Sequence, residues 1–360
     1  MAINKLIPYW ITVREVEEPD SDWDLTNIHS EEPEFPNNNL ADYFEDFCQE
    51  YIGEVHVDEE EQKTFTIDEQ SFQRDKNTIE GVIKSGEWGR NADFWDIDEQ
   101  DRIEDAREEN HAEEIPYYFL FHIPDEDRHQ ALLIFRKYKR KGVKTLFTSL
   151  FHLRHHDVDV GDAYMSINPH YSDRVSEKLD DADSIASVKF RGRESIPARE
   201  QYADRHNIEE FDSDISGQLD VGTELKLTPK DNVDHFRTFV KGLIPGDENA
   251  DNFDYGRIEE QDFSNANVTV VEGESRLTFS LWEERMQMRM DVDPEEYEID
   301  IYGGHPTPHS LGCVARQLAN DLMDSYNTDL PQDSLIPRQI GVPEESHEET
   351  DEVNPPEPEG

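Results

Sequence analysis

Cysteine is nearly absent from this chain of 360 residues: Cys48 and Cys313 are the only two, far apart, which leaves no disulfide framework and no cysteine-cluster zinc site and fits a reducing cytoplasm. No apolar run reaches the length of a membrane-spanning helix, and the opening stretch MAINKLIPYWITV lacks the layout of a signal peptide, so a cytoplasmic protein without a membrane partner is expected. The motifs that announce chemistry are also missing. There is no GxSxG, no HExxH, no Rossmann glycine fingerprint and no kinase motif set, so no enzyme class, cofactor or small-molecule substrate is indicated. Positive charge is scarce as well: 34 Lys and Arg stand against 85 Asp and Glu, a formal charge of −51.

The acids are spread along both halves of the chain rather than gathered in one tail. That distribution resembles the proteins of salt-in halophilic archaea, whose surface carboxylates hold water in molar salt, where a Debye length of about 3 Å screens their repulsion. Acidity of this kind reports solvent rather than ligand. Lysines and arginines kept against it carry more information than they would in an ordinary protein.

From Arg128 to His156 there is no Asp or Glu, and eight basic residues occur: Arg128, Arg136, Lys137, Lys139, Arg140, Lys141, Lys144 and Arg154. The aromatic run Tyr117 to Ile123 and the apolar run Ala131 to Phe135 read as two buried strands joined by the turn PDEDRHQ. RKYKRKG then reads as a basic loop, and Val143, Leu146, Phe147, Leu150, Phe151 and Leu153 recur at the spacing of one helix face. Lys144 and Thr145 fall in the first helical turn, where free amides and the helix dipole favour an anion. The expected phosphate site is therefore Arg136, Lys137, Tyr138, Lys139, Arg140, Lys141, Lys144 and Thr145. GVKT is similar to the end of a nucleotide-binding P-loop, but the first glycine is missing and the spacing is wrong, which argues against nucleotide hydrolysis. The competing reading of the window is a lysine-rich, solvated turn.

Elsewhere the pattern predicts a first strand over Lys5 to Val16 and a helix on Leu40, Tyr43, Phe44, Phe47, Cys48 and Tyr51 capped by Asn39. A hairpin follows in HVDEEEQKTFTIDE, and strand character broken by Gly81, Gly86 and Gly89 runs over Thr78 to Ile97. Beyond residue 160 come a strand AYMSIN, a helix over Ser172 to Asp183, strands Ser184 to Phe190 and Gly217 to Thr228, and a helix over Val233 to Leu243. Four meander strands follow (268–271, 276–282, 286–292 and 297–302), then a last helix over Pro308 to Tyr326. These elements predict an α+β fold with mixed or antiparallel sheets and packed helices. It divides into an N-terminal domain over 1–160 holding the basic element, a C-terminal domain over 161–341 holding the meander, and a disordered acidic tail over 342–360.

Gly81, Ile83, Gly86, Trp88 and Gly89, then Tyr118 to Leu120 with Pro124, then Leu133, Ile134, Arg136 and Gly142 to Thr145, form a series of short motifs. The series resembles one in an uncharacterised prokaryotic family found near mobile elements and phage-defence genes, and VKFRGRESIPAREQYAD is similar to a further segment of that group. Phe135 departs from the pattern, which has a glutamine before the arginine. The resemblance implies a genomic setting and no activity.

His152, His155 and His156 with Asp157, Asp159 and Asp162 have metal-ligand spacing, but imidazoles near a helix C-terminus already interact well with its dipole, so no metal site is assigned. His305 and His309, separated by two prolines, read as a turn before a helix. Glu224 and Lys226, with Asp212, Asp214 and Asp220 upstream, resemble a metal-dependent endonuclease set in a chain where such groupings arise by chance. Three functions follow, in order: a DNA- or RNA-binding protein that contacts phosphates through the basic element, with Tyr138 to stack on a base; a metal-dependent nuclease-type defence effector; and an interaction module docking a protein partner.

Overall fold

The computed structural model describes residues 4–15, 22–28, 39–157, 163–169, 179, 182–197, 218–227, 237–238, 240–241, 257–258, 261–262, 265–272, 275–281, 287–294, 297–323 and 330–340. Strand β1 (Asn4–Glu15) is followed by helix α1 (Leu40–Glu50), whose cap Asn39 accepts from the Ala41 amide at 2.8 Å. The next strands are β2 (His56–Asp58), β3 (Lys63–Ile67), β4 (Gln73–Asp75), β5 (Thr78–Glu87), β6 (Ala92–Trp95), β7 (Arg102–Arg107), β8 (Glu113–His122), β9 (Ala131–Tyr138) and β10 (Lys141–Gly142). Helix α2 (Lys144–Asp157) leads to β11 (Ala163–Pro169), β12 (Ser184–Pro197), β13 (Gln218–Leu227), β14 (Arg257–Ile258), β15 (Gln261–Asp262), β16 (Asn265–Glu272), β17 (Ser275–Leu281) and β18 (Gln287–Val292). A two-residue hairpin pair, β19 (Ile301–Tyr302) and β20 (His305–Pro306), precedes helix α3 (Pro308–Met323).

Fourteen of these strands form one sheet whose named ladders are all antiparallel, with the main path β13-β12-β16-β17-β18-β1-β9-β8-β5-β3-β2. The α+β expectation is thereby overturned: the protein is predominantly β, with three helices among the described residues. The reason is that the apolar runs alternate in and out along strands that find strand partners on both edges. Helices only cover the two faces of that sheet. Of the helix expected over 172–183 only 179, which is helical, and 182 and 183, which are not, are described; of that expected over 233–243, residues 237, 238, 240 and 241 are described and helical; the tail lies outside the described residues.

Strand β1 joins the parts. On one edge Asn4 to Ile11 pair with β9; on the other, Asn4 to Leu6 pair with β18 and Tyr9 to Glu15 with β11. The stretch 297–302 does not add a fourth meander strand as expected, because β18 closes on β1 instead and only Ile301 and Tyr302 are extended.

Period-two alternation divides the core. Ala131, Leu133 and Phe135 of β9, with Tyr117, Phe119 and Phe121 of β8, face Tyr43, Phe44, Phe47, Phe147 and Phe151 of α1 and α2. Leu132 and Ile134, with Tyr118 and Leu120, face Leu311, Ala315 and Leu318 of α3. Phe44 stacks on Phe121 with centroids 4.3 Å apart, and Phe147 and Phe151 are fully buried, as their helical spacing predicts.

Beyond the end of the β5–β8 ladder the chain continues as the β6–β7 ribbon, a separate two-stranded sheet. It exposes Phe94, Trp95, Ile97 and Ile103, with Trp95 63% and Ile97 82% accessible.

Candidate functional site

The basic stretch is a tight hairpin leading into a helix. Strand β9 runs through Arg136, Lys137 and Tyr138, and Tyr138 pairs with Lys141 and Lys137 with Gly142, leaving Lys139 and Arg140 as the tip. RKYKRKG is therefore largely strand, a correction to the loop reading, and strand parity sends successive side chains to opposite faces. Lys139 holds φ +54°, a left-handed conformation that costs a non-glycine residue about 1 kcal/mol. The Val143 carbonyl accepts the Phe147 amide at 2.9 Å and so begins α2. Lys144, Thr145 and Leu146 form the first turn, where backbone amides of a helix point outward and the dipole adds partial positive charge.

A cleft of about 230 Å³ opens between the hairpin and this helix start. Its cationic and polar lining comes from Arg136, Lys137, Arg140, Lys144 and Thr145, over a floor that includes Tyr9 and Phe135, and among the described residues no acid lines it. Lys137 and Arg140 have no carboxylate within ion-pair distance among the described residues. The Lys144 ammonium stands 5.7 Å from the centre of the Tyr9 ring. Lys5, opposite Lys137 on β1, is held below the usual lysine range by burial above all, with Arg289 and Lys137 adding to the effect and Asp291 at 3.6 Å opposing it.

The other expected residues separate. Arg136 points to the opposite face and is 1% exposed. It donates from Nε and Nη2 to Asn4 Oδ1 at 3.0 and 2.6 Å, from Nη1 to the Pro116 carbonyl at 2.5 Å, and from Nη2 to His305 Nδ1 at 3.0 Å. None of these acceptors is charged, so burial pulls the guanidinium down to about 10. Arg136 borders the cleft, but its guanidinium is buried and ties β1, β8 and β20 together. The Tyr138 ring, half-buried, has the Arg136 guanidinium at 5.4 Å, the Lys139 ammonium at 5.0 Å and the His305 ring at 5.0 Å. Lys141 is exposed and pairs with Glu87 at 3.1 Å, a hydrogen bond that holds the Glu87 carboxyl below its usual range. Lys141 lines a neighbouring cleft of about 190 Å³ that also contains Glu87 and Glu113.

Of the other groupings, the side chains of His155, His156 and Asp157, and residues 159 and 162, lie outside the described residues. Asp212 and Asp214 do too, and Glu224 and Lys226 are described only as backbone on β13, opposite Arg191 and Lys189.

A second cluster went unnoticed in the sequence. On α3, His309 and Cys313 are one turn apart, with Nε2 and Sγ separated by 3.7 Å, and Asp333 approaches from the segment that follows. The i, i+4 spacing was legible once a helix was placed there. Asp333 carried no local signal, because a buried carboxylate on β5 brings it in. Glu80 accepts Arg316 Nε of α3, and also Ser334 Oγ at 2.5 Å and the Leu335 amide at 3.2 Å, so one side chain clamps helix to segment.

No family model matches the chain, and no curated protein matches it.

Proposed function

We propose that the protein binds nucleic acid through the phosphate backbone, with Lys137, Arg140, Lys144 and Thr145 lining the contact and Lys139 at the neighbouring hairpin tip. The observation that carries this reading is the cleft itself: Lys137, Arg140 and Lys144, with Arg136 behind them, and the start of a helix meet around a space that no acid among the described residues lines, in a chain of charge −51. Such an arrangement favours an anion with several oxygens, and a phosphodiester chain presents these in series. The mobile-element and phage-defence setting implied by the motif resemblance is part of the same proposal.

The test is binding of single- and double-stranded DNA and of RNA, measured by fluorescence anisotropy over a range of KCl concentrations. Each phosphate contact removed lowers the log–log salt slope by about one unit, so Lys137→Ala, Arg140→Ala and Lys144→Ala together reduce it by about three. Binding that the triple variant leaves unchanged, or no binding by the wild-type protein at any salt, overturns the reading.

One observation favours a second reading, an interaction module: the β6–β7 ribbon exposes four large apolar side chains, Phe94, Trp95 and Ile103 on its strands and Ile97 in the turn between them. Apolar patches of this kind mark protein contacts. Sedimentation of the wild-type protein and of a Phe94→Ser, Trp95→Ser, Ile97→Ser variant separates the two readings, because the ribbon carries none of the cleft.

A further inference from the structure

We infer that His309, Cys313 and Asp333 form a site for a borderline-soft divalent transition metal, zinc or cobalt, on the face of the sheet opposite α2. Their ligand atoms, His309 Nε2, Cys313 Sγ and a carboxylate oxygen of Asp333, all lie within 4.8 Å of one another. Tetrahedral zinc with ordinary Zn–S and Zn–N bonds sets its sulfur and nitrogen ligands about 3.6 Å apart. The His309 to Cys313 separation is 3.7 Å.

The surroundings prepare these atoms for a metal. Arg338 Nε donates to His309 Nε2 at 3.1 Å, so Nε2 holds a lone pair and Nδ1 carries the proton, which it donates to the Ile336 carbonyl at 2.7 Å. A backbone acceptor on the far nitrogen is how metal-bound histidines are kept in orientation. The Ser334 amide donates to Cys313, favouring its thiolate, although burial pushes the thiol up. Glu80 then fixes the distance between the two elements, since it holds Arg316 on the helix and Ser334 and Leu335 beside Asp333. Gly312 permits the approach, because a Cβ there would collide with the Ser334 side chain and come within 3.1 Å of Glu80 Oε2.

A cation already stands among the ligands. The Arg338 guanidinium touches His309 and comes within 4.0 Å of Asp333, yet its side chain is 78% exposed and free to swing outward. A divalent ion replaces it with greater charge and shorter bonds. Cys313 also lines a cleft of about 420 Å³ with Ser310, Gln317 and Gln332, so a three-ligand site keeps a position open for water or another ligand. The nitrogen and sulfur donors select against Mg²⁺ and Ca²⁺, which surface carboxylates bind through oxygen alone. On binding, the Cys313 S–H bond breaks, sulfur keeps the electron pair and donates it to the metal, and the proton passes to solvent; no electron is transferred.

Cobalt titration of the full-length protein after chelator treatment tests the site. The expected result is a near-ultraviolet thiolate-to-cobalt charge-transfer band that saturates at one equivalent and is abolished by excess zinc. Cys313→Ser removes the band, Cys48→Ser keeps it, and His309→Gln weakens binding about tenfold or more. Arg338→Ala, at an exposed position that does not threaten the fold, tightens binding several-fold. Cobalt uptake without a charge-transfer band, the signature of carboxylates alone, overturns the inference, as does a band that survives Cys313→Ser or an Arg338→Ala affinity equal to the wild type.

Discussion

Arg316 donates from Nε to Oε1 of Glu80 across the interface between α3 and β5, and both side chains are withdrawn from solvent. The pair joins residues 236 positions apart in the chain. Arg316 also reaches the Pro331 carbonyl through Nη1 at 3.0 Å. Helix, sheet and the 330–340 segment thus share one charged joint.

Removing one partner of a buried pair leaves the other charge uncompensated. Glu80→Gln is therefore expected to destabilise the fold by about 3–5 kcal/mol. Glu80→Gln combined with Arg316→Met recovers part of that loss, because the stranded guanidinium goes with it. Denaturant midpoints for the two single variants and the double variant check this; additive losses would contradict it.

Stability falls on acidification through His122. Burial, more than any neighbouring charge, pulls this imidazole from 6.5 to about 4, and its Nδ1 lies 2.8 Å from Thr78 Oγ1. The folded value is below the unfolded one, so the unfolded chain binds the proton first. The neutral ring's contribution is complete above about pH 6.5 and is lost as pH drops toward 4, a difference of about 3 kcal/mol. His122→Gln flattens that part of the stability curve relative to wild type.

At the hairpin tip, conformation and charge pull in opposite directions. Lys139→Asn places a residue tolerant of left-handed backbone at φ +54°, and stability rises by a few tenths to about 1 kcal/mol. The same change removes a cation of the hairpin tip, whose ammonium stands 5.0 Å from the Tyr138 ring, so under the proposed function nucleic-acid binding weakens. A variant that gains stability and binds as before would take Lys139 out of the interface.

With 85 acidic residues in the chain, thermal stability rises with ionic strength. Melting curves in molar KCl and in dilute buffer decide it. A higher midpoint in dilute buffer would contradict the solvation reading of the acids.

Local pattern carried much of the fold. YYFLFHI and ALLIF became neighbouring strands β8 and β9, and Asn39 capped α1, because period and capping chemistry are properties of a few adjacent residues. Long-range pairing was not legible. Nothing near 287–292 says that β18 closes on β1 rather than on a strand at 297–302. At the candidate site the deciding quantity was parity: once RKYKRKG is strand, Arg136 and Lys137 must part, one into the core and one to the cleft. Asp333 was invisible for a related reason, since its place beside α3 depends on Glu80, far earlier in the chain.

Because β1 has β9 along one edge and β18 with β11 along the other, the order of synthesis matters. Leu6 finds Arg136 only after α1 and eight further strands have been made, and Met290 only after nine more. Strand β1 must then wait with an unpaired edge or be admitted late, which makes folding slow and dependent on distant segments. A nascent chain stalled before β18 exposes that edge, and there the many carboxylates have a second use: they keep incomplete chains apart until the sheet can close.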